Sequence, residues 1–234
     1  MDNATAVEKH ASRETALERL GRQSGEFATA ISRMVVLALI LTPVLLLSFL
    51  TVDLPLRSLD RFWAPDAPMR PSNWLAIGGF IMALAPLVGI LITRRYGGDE
   101  ASRVITAAWG VAAVAVFAEL SYLAPVLTAA DFPPVRFTVV FVASAMAAQY
   151  IAVNAYDVAR GGGKWWRAPL YGALAGYFFA GLIYFPAMFW GAGAPWLHWL
   201  VGDFAIKAAL AFAFLPIYAI LRKPLRPKGG FGGI

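Results

Sequence analysis

The stretch Trp196–Leu221 reads WLHWLVGDFAIKAALAFAFLPIYAIL. At about 1.5 Å per residue it makes a helix of about 39 Å, long enough to cross a hydrocarbon core of about 30 Å. It also carries Asp203 and Lys207, four residues apart. An i,i+4 pair shares one helix face, so the two side chains can meet. Burying an ionisable group at membrane depth costs at least about 2.5–3.5 kcal/mol, so such groups face a partner or a cavity. This stretch therefore predicts a membrane helix with an internal charged feature.

Five further apolar runs precede it: Met34–Val52, Trp74–Thr93, Val104–Thr128, Val135–Ala159 and Arg167–Trp190. None shows the strict alternation of a membrane β-strand, so helices must satisfy the backbone in lipid. The 234-residue composition agrees, with 59% hydrophobic and 15% charged residues, against about 25% charged in soluble domains. The fold class expected is all-α, a polytopic membrane protein with six transmembrane helices. Three parts are expected: an amphipathic helical segment over 1–33, with Leu17, Leu20, Phe27 and Ile31 at helical spacing, a six-helix domain over 34–222, and a basic, Gly-rich tail over 223–234. The first connection, LPLRSLDRFWAPDAPMRPSNW, holds four prolines and reads as a loop with a short helix around Leu56–Trp63. The N-terminus lacks the early apolar core of a signal peptide.

Orientation follows from Lys and Arg. Fifteen of the twenty basic residues fall in the N-terminal segment, the connections after the second and fourth runs, and the C-terminal tail. Four lie on the other side: Arg57, Arg61, Arg70 and Arg136. Both termini are thus expected in the cytoplasm. The net charge of +6 is placed to meet anionic headgroups, not nucleic acid. There is no cysteine and there are only two histidines, His10 and His198, which leaves no thiolate chemistry and no zinc or iron–sulfur ligand set. No phosphate-binding loop, zinc-protease motif or nucleophile motif occurs. Neither a cofactor nor an enzymatic activity is expected.

Counting depth by helical rise, Asp203 lies about 10 Å and Lys207 about 16 Å below the outer edge. Glu119, on the third run, falls about 14 Å deep, and Gln149, on the fourth, about 21 Å deep. If the third and sixth helices touch, Lys207 sits between two carboxylates and stays charged. Asp203, Lys207, Gln149 and Glu119 are the candidate substrate-binding residues; the competing reading of the charges is a structural pair that pins the sixth helix. Gly172, Gly176 and Ala180 form a small-residue stripe for close helix packing. Prolines fall in five of the six runs, where each kinks its helix. Trp165, Trp166, Trp190, Trp196 and Trp199 suit interfacial belts. Tyr177, Phe178, Phe179, Tyr184 and Phe185 read as helix core with a capacity to stack on a flat ring.

The second half, FVASAMAAQYIAVNAYDVARGGGKWWRAPLYGALAGYFFAGLIYFPAMF followed by WLHWLVGDFAIKAAL, resembles the vitamin uptake transporter (VUT) family, whose characterised members are queuosine precursor transporters. RRYGGDEASRVI, after the second run, is a weaker match. The resemblance implies a fold similar to the substrate-binding subunits of energy-coupling-factor transporters, a bacterial inner-membrane location, and uptake of 7-deazaguanine-like heterocycles. Gly202-Asp203 with Lys207 matches the family's motif in the last helix, and Gln149 a polar position in the fourth. Three family carboxylates have no counterpart: Val88 and Gly89, Ala152, and Ala180-Gly181 stand at those places. A site that recognises a polar base needs groups for its edge. The departures imply a changed substrate, or a transport-inactive member serving as an accessory subunit among other membrane proteins.

Overall fold

The computed structural model describes residues 16–227 except 65, 66, 129–131 and 162. His10, the first half of the N-terminal segment and the end of the tail lie outside the described residues. Among the described residues seven α-helices follow one another: α1 Ala16–Leu50, α2 Ile77–Met82, α3 Leu84–Tyr96, α4 Gly98–Leu123, α5 Val135–Ala159, α6 Arg167–Phe189 and α7 Trp196–Leu221. They give six spans long and apolar enough to cross a membrane, with α2 and α3 together forming the second. Among the described residues there is no strand, only one isolated bridge between Pro55 and Ala76.

The expected spans are recovered with informative shifts. The N-terminal segment does not stop before the first span; one helix runs from Ala16 to Leu50. Its length of about 52 Å exceeds the hydrocarbon core. The second span breaks at Ala83. Pro86 has no N–H to return to the Met82 carbonyl, so the ladder is interrupted there. The third span starts earlier and ends earlier than its hydropathy suggests. Gly97, with φ 92°, makes the turn that opens α4, and Asp99 and Glu100 fill the first turn, where acids suit the helix dipole. Pro125 has no N–H to return to the Ser121 carbonyl, and the helix ends at Leu123. The fourth and sixth spans have the expected bounds.

Helix α3 is the hub and packs on each of the other six. Its Ala85, Leu87, Ile90 and Ile92 are buried. The most extensive pairing is α5 with α6, and glycine is its cause. A Cβ at Gly176 would lie 2.5 Å from the Ala148 carbonyl, and one at Gly172 would lie 2.8 Å from that of Ala152. Small side chains let the two backbones approach. Helix α4 packs on α1, and α7 on α6. Val114, Phe117, Val139, Phe212 and Ile220 are exposed, forming the apolar outer surface that a lipid-facing bundle requires.

The connection between α1 and α2 is a built cap. A 3₁₀ turn at Arg57–Phe62 confirms the short helix expected there. Leu56 N–H donates to Leu75 O (2.9 Å), and Ile77 N–H to Leu54 O (2.7 Å). Asp60 is buried and organises the turn. It accepts from the Arg70 guanidinium and from Ser72 N–H, each at 3.0 Å. Burial alone would raise its pKa, but these donors outweigh it and hold the carboxyl below the ordinary carboxylate value. Trp199 Nε1 donates to Pro68 O (3.0 Å) and Trp74 Nε1 to Met69 O (3.2 Å). Trp199, expected in an interfacial belt, is instead buried and anchors the cap to α7.

Candidate substrate cavity

Beneath this cap lies a cavity of about 100 Å³. Five regions build it: the cap and α2, Pro86 of α3, the N-terminal half of α5, the C-terminal half of α6, and α7. Asp203 and Lys207 supply its charge. Lys207 Nζ donates to Asp203 Oδ2 at 2.7 Å, and the side chains are only 16% and 6% exposed. The i,i+4 geometry read from the sequence is therefore realised, and both members line the cavity. A charge-assisted hydrogen bond this short is stronger than a neutral one.

The walls are aromatic. Phe137 and Phe141 come from α5, Tyr177, Tyr184 and Phe185 from α6, and Trp74 from the cap. Tyr177 O–H donates to Ala83 O at 2.6 Å. That carbonyl sits at the break between α2 and α3, so the tyrosine ties α6 to the break. The Trp74 ring rests on Gly202: a Cβ there would come within 2.9 Å of it. Glycine next to Asp203 thus lets the cap's indole close over the ion pair. Ser144 adds a hydroxyl to the wall and donates to Phe141 O at 3.0 Å. The site can offer a fixed cation, a fixed anion, hydroxyls and aromatic faces to a small flat molecule.

Of the four expected site residues, the structure brings two together. Gln149 is fully buried but is not part of the cavity wall. Its Nε2 donates to Ala145 O at 3.2 Å, and its Oε1 has no hydrogen-bond partner among the described residues. Glu119 is exposed on α4, outside the cavity wall. Depth counted from Thr128 placed it beside Lys207; α4 ends at Leu123, so Glu119 lies only about 6 Å from the helix end. The packing of α4 is on α1, α3 and α5, which keeps it away from Lys207. Among the aromatics, Tyr177, Tyr184 and Phe185 face the cavity, while Phe178 and Phe179 are exposed on the outer surface. Phe137, Phe141 and Trp74 carried no signal in the sequence. The adjacency of Gly202 to Asp203 was the only trace of the cap's approach.

Fold and cavity together define a multi-pass membrane protein with an internal cavity. The family described as "Putative vitamin uptake transporter" matches residues 76–221. The chain belongs to this transporter family. The matched region begins at α2 and holds the whole bundle apart from α1 and the cap. No curated protein and no solved structure matches the chain.

Proposed function

We propose that the protein takes up a small, flat heterocyclic metabolite of the 7-deazaguanine kind, bound between Asp203 and Lys207 and the aromatic walls of the capped cavity. The observation that carries this reading is the buried 2.7 Å ion pair opening onto space beside Tyr177, Tyr184 and Phe185. A purely structural pair needs no such space. Ala180 and Gly181 line the cavity where the resembling transporters carry acid and hydroxyl groups. The substrate therefore has fewer polar edge groups to satisfy than a base gripped by several carboxylates. The alternative, a transport-inactive accessory subunit, expects the cavity filled by Phe and Leu side chains. The open volume supports uptake instead.

The test is uptake of a radiolabelled 7-deazaguanine base into proteoliposomes. The wild-type chain is expected to accumulate it, and Lys207→Ala to fall at least tenfold while still inserting. Full uptake by Lys207→Ala overturns the site assignment. Failure of the wild type with this base, together with copurification of other membrane proteins in mild detergent, favours the accessory-subunit reading.

A further inference from the structure

A second cavity, of about 90 Å³, lies at the opposite end of the helices from the capped one. Its residues come from the last turn of α3, the end of α5, the start of α6 with the loop before it, and the end of α7. The sequence placed these basic residues at helix ends as topology signals. The structure converges four of them, Arg94, Arg160, Lys164 and Arg222, on one concavity.

The floor is polar and ordered. Tyr156 and Tyr218 are buried and their hydroxyls lie 2.8 Å apart. Arg94 Nη1 donates to Tyr218 Oη at 3.2 Å, while its Nε and Nη2 hold Arg222 O at 3.2 and 2.9 Å. These bonds fix the guanidinium in place. The wall is a ladder of cations and rings. Arg94 lies over the Tyr218 ring (5.6 Å), Tyr218 stacks on Trp165 with an interplanar angle of 7°, and Arg222 lies over Trp165 (5.5 Å). Arg160 Nε is 3.0 Å from Asp157 Oδ1. Among the described residues no carboxylate lines the cavity, and its four basic residues have one neighbouring acid, Asp157, which Arg160 engages. Carbonyls at helix ends and Asp157 hold Arg94 and Arg160 in place; the excess of positive charge favours an anion, and guanidinium forks beside a hydroxyl suit phosphate oxygens.

We propose that this cavity binds a phosphate group, carried either by an anionic phospholipid headgroup or by free phosphate. Basic pockets between transmembrane helices at the headgroup level are where anionic lipids dock. The proposal is independent of the capped cavity and of what that cavity carries.

The experiment uses the full chain purified in mild detergent. Native mass spectrometry compares retention of phosphatidylglycerol and phosphatidylcholine, and thermal unfolding is followed with inorganic phosphate against chloride at equal ionic strength. The comparison variant is Lys164→Gln/Arg222→Gln, which leaves the Arg222 carbonyl to Arg94. Lys164→Glu, at the exposed mouth, is a second variant that repeats the test by charge reversal. A lipid site retains phosphatidylglycerol at least tenfold over phosphatidylcholine and loses that preference in the variants. A free-phosphate site shows instead a phosphate-specific rise in Tm that the variants lack. Equal retention of both lipids with no phosphate-specific shift overturns the proposal. Lipid preference or phosphate shift that persists unchanged in both variants overturns it as well.

Discussion

At the scale of single residues, the buried Asp203–Lys207 pair carries an energetic asymmetry. Removing one partner leaves the other charge buried, at a cost of about 3–5 kcal/mol, whereas replacing both by isosteres is far milder. Lys207→Met is therefore expected to lower the unfolding temperature in detergent sharply, and Asp203→Asn/Lys207→Met to recover most of that loss. Equal destabilisation by the single and double variants would show that the charges are not coupled. This pair was legible in the sequence because i,i+4 spacing fixes a face without knowledge of any neighbour. Glu119 was misplaced because its position needed both the helix end at Leu123 and the helix-to-helix contacts, which no local pattern encodes. Gln149 was recognised as buried polar, but whether it faces a cavity or a packed core depends on its neighbours.

At the scale of elements, two devices set the site. The first is the α5–α6 seam. Gly176→Leu would drive a side chain into the Ala148 carbonyl, where an added Cβ alone already comes to 2.5 Å. It is expected to abolish folded protein, measured as monodisperse yield in detergent. Gly110 is the control, since it is exposed and an added Cβ there meets nothing within 4 Å. Gly110→Ala is expected to be neutral or stabilising by up to about 1 kcal/mol, the helix-propensity gain. A tolerated Gly176→Leu would mean the seam is not close-packed. The second device is the cap. The native pKa of Asp60 lies below its unfolded value, so its contribution is complete above the unfolded pKa of about 3.9 and is lost as the pH falls through the lower native pKa. Hydrogen exchange across residues 54–76 should be flat from pH 8 to 5 after correction for intrinsic rates, then accelerate in acid. Asp60→Asn should remove that acid transition. The small-residue stripe announced the seam in the sequence. The cap did not announce itself, because four prolines and mixed charges read only as a loop, and its order comes from Asp60 binding Arg70 and Ser72 within it and from Trp74 and Trp199 joining it to α7.

At the scale of the whole molecule, hydropathy located all six spans because every lipid-crossing segment must be long, apolar and helical. It could not locate the cavities, which exist only where several helix ends converge. The two cavities sit at opposite ends of α5, α6 and α7, and they differ in character. The capped one is aromatic with a neutralised ion pair, and the other is cationic. That polarity bears on orientation. The cationic end carries Arg94, Arg160, Lys164 and Arg222, the side that the distribution of Lys and Arg assigns to the cytoplasm. The cap end should then face outward, presenting the aromatic cavity to incoming solute. The chain has no cysteine, so single introduced thiols report sidedness without background. Ser58→Cys, exposed in the cap, is expected to react with a membrane-impermeant maleimide in intact cells. Gly161→Cys, exposed between α5 and α6, is expected to react only after the membrane is opened. The reverse pattern would place the basic cavity outside and turn the capped cavity toward the cell interior, making export the direction the architecture favours.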